Sequence, residues 1–204
     1  MRSRIVGAAF AAGLCVALSG CQSSQRTTDI PWDGPGVSSS LASAPIGEPV
    51  QVKDVEGVKN FYIDGPLCVA SQPSAAALRG FADDGVSVVI SLRSDTEMEK
   101  LGFDEAELCA ELGMDFAHIP LGGKDRVYTP EALAEFAALM ESHEGKAVVH
   151  CASGGRVTLM YVAYLIEHRG YELNEAYDVA LGLRYRPNPV GMLLGREIEY
   201  RFVD

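Results

Sequence analysis

Ala147-Val148-Val149-His150-Cys151-Ala152-Ser153-Gly154-Gly155-Arg156-Val157 decides the reading of this chain. An apolar, β-branched run ends at His150, a glycine-bearing turn follows, and Arg156 opens an apolar helix pattern that continues to residue 168 and stops before Gly170. A cysteine therefore stands at the carboxyl end of a strand, at the mouth of a turn that feeds a helix. Gly154 and Gly155 let successive backbone N–H groups converge on an anion. The helix start adds unpaired N–H groups and the positive end of the helix dipole. That field favours a thiolate, the nucleophilic form of cysteine. Arg156 brings a planar fork of donors that matches two oxygens of a tetrahedral oxyanion. The phosphate-binding candidates are Ala152, Ser153, Gly154, Gly155 and Arg156.

Outward from this loop, short apolar runs alternate with helical patterns. Residues 61–63 and 67–70 are strand-like, with turn chemistry in Asp64-Gly65-Pro66 between them. Strands are also expected over 86–92, 116–121 and 146–150. Helices are expected over 74–83, 97–112, 129–142, 156–168, 173–183 and 192–202. Ser74 and Thr129-Pro130 supply start signals. The class is α/β, with a central, largely parallel sheet of about four to five strands flanked by helices. In such sheets ligands bind beyond the carboxyl ends of the strands.

The N-terminus reads as an export signal. Arg2 and Arg4 precede an apolar run over residues 5–18, too short to span a bilayer comfortably. Leu18-Ser19-Gly20-Cys21 resembles a bacterial lipobox, with cleavage before Cys21 and lipid on its thiol. Residues 1–20 are then a signal peptide and 21–50, rich in Ser, Pro, Gly and Ala, a flexible tether from the lipidated Cys21. Residues 51–204 are the domain. The implied location is the cell envelope, with a membrane anchor at Cys21; Gln22 points to the outer membrane, facing the periplasm, if the cell is Gram-negative.

The chain of 204 residues carries a formal charge of −11, and loss of Arg2 and Arg4 with the leader makes it more acidic. That balance argues against nucleic acid as a partner. It leaves room for a small anionic group held by local donors. No Cys/His spacing suggests a metal, and no cofactor is called for. Cys68 and Cys109 are either buried small hydrophobes or a disulfide pair that spares Cys151.

The His-Cys-x-x-Gly-x-Arg pattern of residues 150–156 resembles the signature loop of cysteine-dependent protein tyrosine and dual-specificity phosphatases. The layout of residues 60–183 is similar to the bacterial branch that includes the phosphatase-like domain of β-lactamase-hydrolase-like proteins. Ala70-Ser71-Gln72-Pro73-Ser74, Ile90-Ser91-Leu92-Arg93 with Glu97, and His118-Ile119-Pro120-Leu121 are its other landmarks. The resemblance implies a phosphotyrosine-phosphatase-like fold and hydrolysis of a phosphoester, on a phosphoprotein or a small molecule, through a phosphocysteine at Cys151. Arg156 would hold the phosphoryl oxygens and His150 would orient the loop and help keep the thiolate charged.

The chain departs from the common pattern in two ways. Four residues, not five, separate Cys151 from Arg156, a length that bacterial relatives share with rhodanese-like sulfurtransferases. Val157 stands where most of these phosphatases carry a hydroxyl, and Thr158 comes one residue later. A general acid is also needed. Asp125, in the glycine-bearing segment after a strand, is the candidate, with Asp95 and Glu97 as rivals. Arg93 either lines the pocket or pairs with Glu97; Thr158 is a further pocket candidate. Arg184-Tyr185-Arg186 is a small basic cluster that reads as a solvated helix end, with docking of an anionic substrate as the alternative. The alternatives to a phosphatase are a sulfurtransferase working through a Cys151 persulfide and a non-catalytic anion-binding lipoprotein.

Overall fold

The computed structural model describes residues 30–31, 46–122, 128–143, 145–185 and 190–198. Cys21, most of the 21–50 segment and Asp125 lie outside the described residues. The strands are β1 (Ile30–Pro31), β2 (Val50–Lys53), β3 (Phe61–Asp64), β4 (Leu67–Ala70), β5 (Val86–Ser91), β6 (Asp115–His118) and β7 (Lys146–His150). The helices are α1 (Ala75–Asp83), α2 (Asp95–Met98), α3 (Glu105–Glu111), α4 (Pro130–Ser142), α5 (Gly155–His168), α6 (Leu173–Gly182) and α7 (Gly191–Leu194).

The sheet runs β1-β2-β3-β4-β7-β5-β6. It is parallel from β4 to β6 and antiparallel across β2, β3 and β4. This is the expected α/β architecture with more strands than anticipated: β1 lies in chain whose composition looks like tether, and β2 is a short strand at the start of the domain.

Side-chain alternation along the central strands builds two cores. Ala147 and Val149 of β7 join Val88 and Ile90 of β5 on the face covered by α4, α5, α6 and α7. Val148 and Val89 join Cys68, Leu78, Phe81 and Leu108 on the face covered by α1 and α3. α5 is buried at every position from Val157 to Leu165, so it packs as an internal helix. The chain crosses over the α1/α3 face between β4 and β6, then returns over the other face through α4 to insert β7 between β4 and β5. That reversal opens a crevice at the carboxyl end of β7.

Two helix expectations are corrected. The pattern over 97–112 is two helices, because Gly102 interrupts it and the Asp104 side chain accepts from Glu107 N at 2.9 Å, starting α3 afresh. The pattern from 192 stops within α7, where Gly195 adopts a left-handed conformation (φ 64°) that ends the helix.

The domain's contacts reach back to Ile46. Asp64, fully buried at the end of β3, accepts from Gly47 N (2.7 Å) and Glu48 N (3.2 Å) through Oδ1 and from Tyr161 Oη (3.0 Å) through Oδ2. Tyr171 Oη donates to Ile46 O at 2.7 Å. Burial raises the Asp64 carboxyl above its ordinary value, partly offset by these bonds. Asp64→Ala leaves the Tyr161 hydroxyl and two N–H groups without their acceptor, so it should cost about 2–4 kcal/mol in urea unfolding. It should also make the 46–49 segment the first site of limited proteolysis; unchanged stability would show that this carboxylate does not hold the segment.

Candidate active site

The registers of the three central parallel strands bring their carboxyl ends together. Ala70 pairs with His150 on one side and Ser91 with His150 on the other. The residues that follow, Gln72, Arg93 and Cys151, therefore share one rim. Leu92 N donates to His150 O at 2.8 Å and ties β5 to the start of the loop.

Cys151 is almost fully enclosed, at 1% exposure. Gly154 N donates to its sulfur at 3.1 Å. Gly154 can aim its N–H there because it sits at φ +106°, where other residues are strained. It is also the N-cap of α5. A side chain at this position would strike the Tyr185 ring, 2.9 Å from its hydroxyl. Tyr185 lies across the loop. Its hydroxyl donates to Ser153 O, and Asn60 Nδ2 donates both to that carbonyl (3.1 Å) and to the hydroxyl (3.3 Å). Tyr185, from the cluster read as a solvated helix end, thus lies against the loop, while Arg186 lies outside the described residues.

Arg156 is held end-on. Nη1 donates to Glu97 Oε2 (2.6 Å) and to Leu121 O (2.8 Å), and Nη2 donates to Glu97 Oε1 (2.7 Å). A guanidinium has five N–H donors. Those bonds leave the side-on pair, Nε–H and the second Nη2 hydrogen, which is the fork suited to a bound oxyanion. The Arg156 hydrogen bonds hold the Glu97 carboxyl at about 2, against burial. In turn Glu97, and to a smaller degree the Cys151 sulfur, raise Arg156 above its ordinary value. Both oxygens of Glu97 are engaged by Arg156 and one also by Ser94, an arrangement that favours the ionised carboxylate and argues against Glu97 as the general acid.

Arg93 does not pair with the Glu97 side chain. Ser94 N and Oγ and the Arg156 guanidinium occupy that carboxylate. Arg93 Nη1 instead donates to Gln72 Oε1 (2.7 Å), and Nη2 reaches the Glu97 backbone carbonyl (3.5 Å). Gln72 Nε2 donates onward to Glu105 Oε1 at 3.0 Å. Glu105 Oε1 lies 3.2 Å from His150 Nε2, both side chains fully buried, in a polar contact that is off the line of a good hydrogen bond. Thr158 is buried and its hydroxyl donates to Gly154 O at 3.1 Å, so it braces the loop from within rather than lining the pocket. His118 sits behind Arg93, its Nε2 2.7 Å from Arg93 O, with Asp95 3.9 Å from its other nitrogen. Cys68 and Cys109 are free and buried, and burial pushes both thiols up to about 12, so they are poor nucleophiles.

Glu105, Asn60 and Tyr185 were not legible as site residues. Glu105 begins an acidic helix whose other glutamates, Glu107 and Glu111, face solvent.

No family model matches the chain. Among curated proteins, a β-lactamase hydrolase-like protein of Xylella fastidiosa (strain Temecula1) is 29% identical over 101 residues, spanning 48% of this chain and 23% of that protein. The chain thus matches less than a quarter of the length of this relative. Among solved structures, Tk-PTP in its active form is 26% identical at a TM-score of 0.52, covering 62% of this chain and 84% of that one. A glycine-to-alanine mutant form of the same phosphatase gives 25% and 0.52, covering 69% and 87%. Kinase-associated phosphatase matches in fold, with TM-score 0.52 and 16% identity over 58% of this chain and 75% of that one. The domain has the fold of protein tyrosine phosphatase-like enzymes and is similar to them.

The Glu97–Arg156 pair makes a pH prediction. The folded-state value of Glu97 is depressed from 4.5 to about 2, so its contribution to stability is present above the unfolded value and lost as pH falls through the folded one. Glu97→Gln should cost on the order of 1–2 kcal/mol near neutrality, the range for a charge-assisted, partly exposed pair. The gap to wild type should narrow below about pH 4.5 and close toward pH 2. Urea unfolding from pH 7 to pH 2 measures it; a gap independent of pH would refute the assignment.

Proposed function

We propose that this chain is a cysteine-dependent phosphatase that hydrolyses a phosphoester, on a phosphoprotein or a small molecule, through a phosphocysteine at Cys151. The observation that carries the reading is the side-on Arg156 fork, left over by Glu97 and Leu121, beside a sulfur that already accepts the Gly154 N–H. A phosphoryl group seated on that fork and on the loop N–H groups places its phosphorus before the sulfur.

In the first step the Cys151 thiolate forms an S–P bond as the ester O–P bond breaks. The leaving oxygen takes a proton, which we assign to Asp125. In the second step water attacks phosphorus, the same carboxylate accepts the water's proton, and the S–P bond breaks to return the thiolate. Arg156 and the loop N–H groups hold the equatorial oxygens in both transition states. His150 orients the loop from beneath. Lipid on Cys21 would anchor this domain in the cell envelope, on the outer membrane if the cell is Gram-negative, a reading supported by Leu18-Ser19-Gly20-Cys21 and Gln22.

One observation favours a second reading. Only Ala152, Ser153, Gly154 and Gly155 separate Cys151 from Arg156, and a short cradle also suits a persulfide in sulfur transfer.

The test assays the reduced full chain with an aryl phosphate and, separately, with thiosulfate and cyanide. Cys151→Ser should abolish phosphate release. Arg156→Lys should lower kcat/KM by about 10²–10³, the effect of losing one preorganised oxyanion contact. Thiocyanate formation without phosphate release would establish the sulfurtransferase instead.

A further inference from the structure

We propose that Glu105 is a positioning residue for Cys151, acting through His150: its buried carboxylate, held by Gln72, fixes the His150 ring at the start of the loop that carries the nucleophile. The inference rests on the phosphatase reading for its kinetic arm only.

Glu105 and His150 are fully buried and 3.2 Å apart. A carboxylate placed in such surroundings needs compensation by a cation or by several donors. Gln72 provides one donor, to Oε1. Oε2 of Glu105 and both ring nitrogens of His150 have no hydrogen-bond partner among the described residues, and the 3.2 Å approach of Nε2 to Oε1 is the polar contact the two buried side chains share. The Gln72 amide is fixed by its two ends, donating to Glu105 and accepting from Arg93. Its backbone N approaches Ala152 O at 3.5 Å. One chain of contacts therefore runs from Arg93 through Gln72 and Glu105 to His150, and grips the loop on both sides of Cys151.

His150 immediately precedes Cys151, so a fixed ring at the end of β7 fixes the position from which the sulfur is presented. Replacing the carboxylate by an amide weakens the acceptor that Gln72 and the His150 ring share, so the ring and the start of the loop lose their fixed position. The consequence is a less reactive sulfur, with substrate contacts at Arg156 and Gly154 untouched.

The experiment compares the full wild-type chain with E105Q, E105D, H150N and H150N/E105Q, each checked for folding by thermal unfolding. Two rates are read: kcat and KM on an aryl phosphate, and alkylation of Cys151 by iodoacetamide, followed on the Cys151 peptide. E105Q should lower kcat about 10–100-fold, as loss of a group that orients a functional side chain does elsewhere, with KM within about twofold. It should slow alkylation about tenfold, and E105D should recover part of both losses. H150N/E105Q should be no slower than H150N alone, because the two residues act as one unit. Wild-type rates in E105Q, equal losses in E105D and E105Q, or losses that multiply in the double variant would each overturn the proposal. If E105Q does not fold, the E105D and double-variant comparisons decide it. Absence of phosphate release from the wild-type chain counts against the phosphatase reading alone, and the alkylation rates still decide the role of Glu105.

Discussion

Arg156 lies at the start of a buried helix, and its guanidinium could point in several directions. Both oxygens of Glu97 and the carbonyl of Leu121 reduce those to one. The guanidinium is thereby set before any ligand arrives. Its partners come from β5's exit and from the chain after β6, and that joins the site to the sheet. The capping box of α2 shares in this: Ser94 and Arg156 bind the same Glu97 carboxylate. The cap of α2 and the Arg156 guanidinium are thus oriented by one side chain.

The sheet supplies the other half of the constraint. β7 is inserted between β4 and β5 after the chain has crossed to the opposite face, and this opens the crevice at its carboxyl end. The pairing of His150 with both Ala70 and Ser91 sets Gln72 and Arg93 beside the loop. A shift of one residue in either register would reverse the faces of Val148 and Val149 and displace those side chains together. Core packing and site geometry therefore stand on the same pairings.

The strand–loop–helix unit was legible because its signals are local: a β-branched run, a glycine pair and an apolar helix. β7 begins and ends where the pattern of residues 146–150 puts it. Pairings made across the fold were not. Glu97 looks like the partner of Arg93, four residues before it, yet it binds Arg156, 59 residues away. Glu105 is indistinguishable by composition from its solvent-facing neighbours until α3 is seen to turn it inward. Tyr185 follows a helix end that reads as solvated, and only the return of the chain over the loop gives it a role. β2 is short, and its one fully buried position, Val52, gives no alternation to read.

A covalent phosphocysteine is the intermediate that the proposed chemistry requires. Rapid acid quench of the reduced full chain during turnover of an aryl phosphate, followed by peptide mass mapping, looks for it directly. A single added phosphoryl group is expected on the peptide containing Cys151, absent from the Cys151→Ser variant. Turnover with no phosphoryl group on Cys151, or with the group on another residue, would contradict the proposed mechanism.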